Sequence, residues 1–132
     1  MVDKITDCLK KSLGGNFILH NSITNWGGSV LVMERSGIAF ARTYWFNDND
    51  HIYFDWLSID EVNRNNGIAT KLLNAHIDIS KQLGVNSYLW VEDNTWIKDW
   101  YIRNGYTYHS KHQTEPNSIW MVLDKNNHVN KK

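Results

Sequence analysis

Ile52-Tyr53-Phe54-Asp55-Trp56-Leu57-Ser58-Ile59, the polar turn Asp60-Glu61-Val62-Asn63-Arg64-Asn65-Asn66 and the sequel Gly67-Ile68-Ala69-Thr70 form the stretch whose reading decides the fold. The first run is rich in β-branched and aromatic residues and reads as a strand. From Gly67 an amphipathic helix departs, with Ile68, Ala69, Leu72, Leu73, His76, Ile79 and Leu83 along one broad face, and Gly84 stops it. A strand, a tight turn and a helix N-terminus bring several unpaired backbone N–H groups and a partial positive charge to one point, which suits a phosphate. Gly67 has no Cβ, so a ligand can approach the backbone there.

Beyond that helix, Val85 to Glu92 contains the continuous run Tyr88-Leu89-Trp90-Val91. Such a run predicts a strand buried on both faces and parallel to the one before the helix, a β-α-β unit with a right-handed crossover. Upstream, Ser29 to Glu34 and Ile38 to Phe46 read as strands joined by Arg35-Ser36-Gly37, and Asn47-Asp48-Asn49-Asp50 turns the chain into the strand at Ile52. Three strands with two tight turns make an antiparallel meander. Ile5, Cys8, Leu9 and Leu13 recur at helical spacing and predict a helix over 2–13, with a brief strand over 16–20 and a loop over 21–28. Downstream, Asp93-Asn94-Thr95 is an N-cap cluster before a short helix striped by Trp96, Ile97, Trp100 and Tyr101. Two more strands, over 106–109 and 119–123, flank a polar segment, and the tail from about 125 is polar. The expected fold class is α/β (α+β), a mixed and mainly antiparallel sheet with a β-α-β core, in a single domain over 1–132 without repeats or an interdomain linker.

Composition bounds the partners. With 132 residues the chain can bury roughly two thirds of its unfolded surface. Fourteen basic and fourteen acidic side chains cancel, and no basic stripe is present, which argues against nucleic acid and anionic membranes as partners. No apolar run approaches the roughly 20 residues of a membrane span. One cysteine, Cys8, and the lack of a signal-peptide block make the cytoplasm the expected location. His109 and His112 stand in a polar segment without carboxylate or cysteine partners, and His76 sits on an apolar helix face, so no metal site is expected and His76 is read as a satisfied core histidine.

Arg64-Asn65-Asn66-Gly67-Ile68-Ala69 resembles the Arg/Gln-x-x-Gly-x-Gly/Ala motif of the GNAT superfamily of acetyl-CoA-dependent N-acyltransferases. A second match strengthens the first. The family commonly carries Asn-x-x-Ala-x-x-Leu-Tyr-x-x-x-Gly-Phe after its fifth strand, and the run from Asn94 through Ile97, Trp100, Tyr101 and Gly105 to Tyr106 keeps that spacing. The resemblance covers roughly residues 29–123. It departs from the family at Asn65 and Asn66, where basic or glycine residues are frequent, at Ile97 in place of Ala, at Asn63 in place of an aromatic and at Glu61 in place of Pro. The N-terminal portion, which in the family builds part of the acceptor site, is short.

The resemblance implies an N-acetyltransferase with acetyl-CoA as co-substrate and an amine-bearing acceptor as partner. Backbone amides of Asn65, Asn66, Gly67, Ile68, Ala69 and Thr70 would hold the pyrophosphate, framed by Arg64. Lys71 is either a further phosphate contact or a solvated helix residue. The strand through Leu57, Ser58 and Ile59 would pair with the pantetheine arm, in a slot opened where it diverges from the next strand at a bulge. Asn94 would contact the arm near the thioester, and Tyr101 would point its hydroxyl at the sulfur. Attack by an amine expels a thiolate, whose reference pKa of about 8.5 lies below the roughly 10 of a phenol, so Tyr101 suits the role of acid. Otherwise Tyr101 is simply a core residue beside Trp100.

For the base, Asp55 is the nearest carboxylate on the fourth strand, with Glu92 and Asp93 as rivals. Asp55, Asp60, Glu61, Glu92 and Asp93 all fall near strand ends, which would favour a cationic acceptor. Family members often pair as dimers, so a homodimer is a further expectation. The competing reading is a non-catalytic GNAT-like CoA sensor or protein-interaction module.

Overall fold

The computed structural model describes residues 2–48, 50–60 and 67–128. Arg64, Asn65 and Asn66, expected to frame the phosphate loop, lie outside the described residues, as does Glu61. In chain order the elements are α1 (Val2–Leu13), β1 (Phe17–Ile23), β2 (Gly27–Glu34), β3 (Ala39–Phe46), β4 (His51–Ile59), α2 (Ile68–Leu83), β5 (Asn86–Glu92), α3 (Trp96–Arg103), β6 (Thr107–Lys111) and β7 (Ser118–Leu123). Single turns of 3-10 helix follow α1 and β7.

One seven-stranded sheet runs β1-β2-β3-β4-β5-β7-β6, antiparallel throughout except for β4 beside β5. This is the mixed, mainly antiparallel architecture expected. β1 is longer than expected and extends into the stretch read as a loop, pairing with β2 out to Ile23↔Gly28. Its outer half is exposed, so a polar edge strand carries none of the apolar alternation that reveals inner strands. At the other hairpin, Gly37 adopts φ +81 and donates its N–H to the Glu34 carbonyl, which sets the turn between β2 and β3.

The helices share one face. α1 inserts Ile5, Leu9 and Leu13 into the core, α2 adds Leu72, Leu73 and Ile79, and the sheet answers with Val30, Val32, Ala41, Phe54 and Leu89. The opposite face is a field of half-buried rings. Tyr44 stacks on Tyr53 at 4.7 Å, and Tyr53 meets Tyr88 and Trp120 at 6.2 and 6.0 Å. β5 therefore alternates buried and exposed positions, contrary to the expectation of burial on both faces. The physical reason is the one-sided helix layer, which leaves Trp90 on an uncovered surface.

Candidate active site

The ladder between β4 and β5 comprises His51↔Asn86, Ile52↔Ser87 and Tyr53↔Tyr88, and then it stops. On its other side β4 pairs with β3, but the register shifts: Arg42 faces Asp55 whereas Phe40 faces Ser58. β4 thus carries one residue more than β3 across this interval, a β-bulge, and Trp56 within it has φ +57. A bulge bends its strand and increases the local twist, which is what separates β4 from β5 beyond Tyr53.

At this fork lies a cavity of about 270 Å³ lined by Phe54, Asp55, Trp56, Leu57, Trp90, Val91, Ile97 and Tyr101. Asp55, Leu57 and Tyr101, singled out from the sequence, are therefore brought together. Asp55 belongs to the open face of the sheet and Tyr101 to the helix side, so the cavity lies between the two. Tyr101 is only 6% exposed, and its ring packs on Trp100 and Tyr106 at 5.1 and 5.8 Å. It is both a core residue and a lining residue. Burial pushes its phenol well above the ordinary value, so it is protonated across the neutral range.

Asp55 is held by a residue that the sequence reading missed. Arg42 donates from Nε to Oδ1 at 2.8 Å and from Nη2 to Oδ2 at 2.6 Å, a bidentate pair. Its guanidinium also lies 3.8 Å from the centroid of the Trp56 ring and 4.6 Å from that of Tyr44. The pairing with Asp55 raises the Arg42 pKa. An ionised carboxylate has about four lone-pair sites, so two remain for another donor. Beside it, burial with Asp55 and Tyr53 as neighbours pushes the Tyr44 phenol up to about 12.

Beneath the fork runs a buried polar chain. His76 Nδ1 lies 2.7 Å from Thr43 Oγ1, His76 Nε2 lies 2.6 Å from Ser87 Oγ, and Ser87 Oγ lies 2.7 Å from the Tyr106 hydroxyl. His76, 1% exposed, is the satisfied core histidine expected, and complete burial pushes its pKa down to about 3. The chain joins β3 to β5 under β4, whose Phe54 ring lies 4.8 Å from the imidazole. It ends next to Tyr101, because Tyr106 packs on that ring and donates its N–H to the Tyr101 carbonyl at 3.1 Å.

At the start of α2 Gly67 has φ +84, and among the described residues no side chain caps the helix and nothing beyond the chain neighbours lies within 4 Å of where a Cβ would stand. Gly67, Ile68 and Lys71 line a hollow of about 220 Å³ with Asn16, Phe17 and Glu34. Ala69 is half-buried and Thr70 exposed. Ser58 is exposed and Ile59 half-buried at the end of β4.

Asn94 and the rival bases do not line the cavity at the fork. Asn94 sits in the β5–α3 turn with φ +62, beside a separate hollow that it shares with Glu92, Asp93 and Thr95. Asp93 pairs with Lys98 at 2.6 Å, which lowers its pKa, while Thr95 is the N-cap and accepts from the Lys98 N–H. Among the described residues no cluster of three or more His, Cys, Asp or Glu side chains is arranged to hold a metal ion. No described helix is long and apolar enough to cross a membrane.

Residues 26–108 match the family model of the acetyltransferase (GNAT) domain, and the chain belongs to that family. Solved structures agree in fold. A GNAT family acetyltransferase from Elizabethkingia anophelis with acetyl-CoA bound superposes with a TM-score of 0.60 at 13% identity, over 83% of this chain and 98% of that one. Escherichia coli ElaA gives 0.62 at 12% identity, over 93% and 89%. The ribosomal-protein-S18-alanine N-acetyltransferase from Escherichia coli gives 0.58 at 18% identity, over 89% and 74%. No curated protein matches the chain in sequence.

Proposed function

We propose that this protein is an N-acetyltransferase that moves the acetyl group of acetyl-CoA to a primary amine by direct attack in a ternary complex, acting as one domain. The observation that carries the reading is the cavity at the fork of β4 and β5, with Tyr101 on one side and Asp55 on the other. The fork also fits the co-substrate, since a strand whose ladder stops offers main-chain groups to an extended arm. In this proposal Leu57, Ser58 and Ile59 supply them. The start of α2 at Gly67, Ile68, Ala69 and Thr70 receives the pyrophosphate, with Lys71 one turn in and Arg64, Asn65 and Asn66 completing the loop. Asn94 enters through its left-handed turn, which launches α3 and so aims Tyr101.

Acetyl-CoA supplies an activated acyl group. As the nitrogen–carbon bond forms, the carbon–sulfur bond breaks; Tyr101 donates a proton to the departing sulfur and recovers one from solvent. Asp55, steadied by Arg42, accepts a hydrogen bond from the incoming ammonium and helps pass its protons to water. Across the reaction the nitrogen gives up two protons, one replacing that spent on sulfur and one released. The sensor reading has no use for a phenol at this spot, and no particular contact favours it.

Calorimetric titration with acetyl-CoA, with ATP as the phosphate-bearing control, is the first test, followed by thiol release in the presence of amines. Selective micromolar binding and amine-dependent thiol release that Tyr101→Phe depresses are expected. No binding near millimolar acetyl-CoA overturns the proposal.

A further inference from the structure

The two strands that part at the fork each present an indole there. Trp56 on β4 is 57% exposed and Trp90 on β5 is 41% exposed, and both line the cavity that contains Asp55 and Tyr101. Large rings left in water beside a cavity are unusual, because burying them is strongly favourable. Trp56 is the more telling of the two. It holds φ +57, a backbone region that bulky L side chains rarely occupy and that glycine enters freely. Strain of this kind concentrates at working sites, where the side chain has a task that offsets it.

The chemistry around the indoles narrows what they meet. Trp56 already carries a planar cation on one face, the Arg42 guanidinium. That same guanidinium neutralises Asp55, so the pair gives the mouth hydrogen-bond acceptors without net negative charge. Phe54, Leu57, Val91 and Ile97 make the rest of the lining apolar. A polyamine would bring further ammonium groups into this lining with no carboxylate to receive them, whereas a flat apolar body gains contact with both rings.

Resting on the acetyltransferase reading above, we infer that Trp56 and Trp90 hold the body of the acceptor, and that the acceptor is an arylalkylamine whose ammonium meets Asp55. The aromatic portion lies against the indoles at the open face of the sheet. The amine reaches the cavity from that face, opposite the side from which Tyr101 lines it.

The test is steady-state kinetics of the full chain with acetyl-CoA and three acceptors: 2-phenylethylamine, spermidine and a lysine-containing peptide. Trp56→Gly and Trp90→Thr are compared with wild type, glycine being suited to the bulge and threonine to a strand. The expected result is a kcat/KM for 2-phenylethylamine about tenfold or more above the others. Each substitution lowers that ratio by about tenfold, with acetyl-CoA affinity unaltered and Trp56→Gly melting no lower than wild type. Preference for spermidine or the peptide, no turnover of 2-phenylethylamine, or a preference that survives both substitutions overturns the inference. Loss of acetyl-CoA affinity in the variants assigns the indoles to the co-substrate and overturns it equally. A wild-type protein that binds no acetyl-CoA takes down the acetyltransferase reading as well, whereas binding without the aryl preference takes down the acceptor assignment alone.

Discussion

His76 Nε2 lies 2.6 Å from the Ser87 hydroxyl, fastening α2 to β5 one residue before the last β4–β5 ladder pair. The imidazole is neutral in the fold, whereas in the unfolded chain it takes up a proton near pH 6.5. Between those limits the unfolded state binds more protons, so stability is whole above about pH 6.5 and falls as pH drops toward 3. The loss reaches about 2 kcal/mol at pH 5. Urea denaturation of wild type and His76→Gln at pH 7 and pH 5 checks the sign: the gap between the two proteins narrows at the lower pH.

Replacing His76 by leucine removes both ring nitrogens, takes from Thr43 its bond to the ring and leaves Ser87 with Tyr106 but without the imidazole. The expected cost is about 2–4 kcal/mol at pH 7, larger than for glutamine, and chemical denaturation reads it directly.

Tyr101→Phe keeps the ring against Trp100 and Tyr106 and removes only the hydroxyl. Stability changes by about 1 kcal/mol or less, acetyl-CoA affinity is retained, and kcat falls by about a hundredfold. Because the wild-type phenol is raised above its ordinary value, no alkaline loss of activity from Tyr101 sets in below about pH 10. A pH–rate profile taken to pH 9.5 tests this.

Arg42→Lys keeps the charge and loses the fork of donors that grips both Asp55 oxygens. Acceptor kcat/KM drops by about tenfold with little change in acetyl-CoA binding. Asp55→Asn lowers acceptor kcat/KM by about tenfold or more with little change in acetyl-CoA binding. An unaltered kcat/KM removes Asp55 from the chemistry.

Gly67→Ala puts a Cβ within 4 Å of no described residue beyond its chain neighbours, so the cost expected is that of the left-handed backbone, about 1 kcal/mol. Acetyl-CoA affinity falls by about tenfold if phosphate comes close to that backbone, and calorimetry separates the two effects.

Much of the fold around the candidate site was legible in the sequence. The strand ending at Ile59, the helix after Gly67 and the Tyr101 helix have strong periodicity and marked ends, and these elements formed as read, while the turn over 61–66 lies outside the described residues. Even Arg42 left a trace, for it and Asp55 are equally far from the middle of the turn Asn47–Asp50, so hairpin pairing sets them face to face. What stayed hidden depends on contacts between distant segments. The hydrophobic pattern of β5 resembled a strand covered on both sides because Tyr88 and Trp90 are as apolar as core residues, and only the helix layer decides which face is covered. The His76 chain drew on Thr43, Ser87 and Tyr106, residue types that are unremarkable in a strand or turn until their hydroxyls meet.

The short β4–β5 ladder has a mechanical meaning. Strands β1 to β4 form one plate and β5, β7 and β6 another, and among the described residues three ladder pairs fasten them edge to edge within the sheet. Thermal breathing of the sheet will concentrate at that seam, so amide hydrogens of Tyr88 and its neighbours should exchange sooner than those in the middle of β3, unless a molecule lying in the gap stitches the plates together.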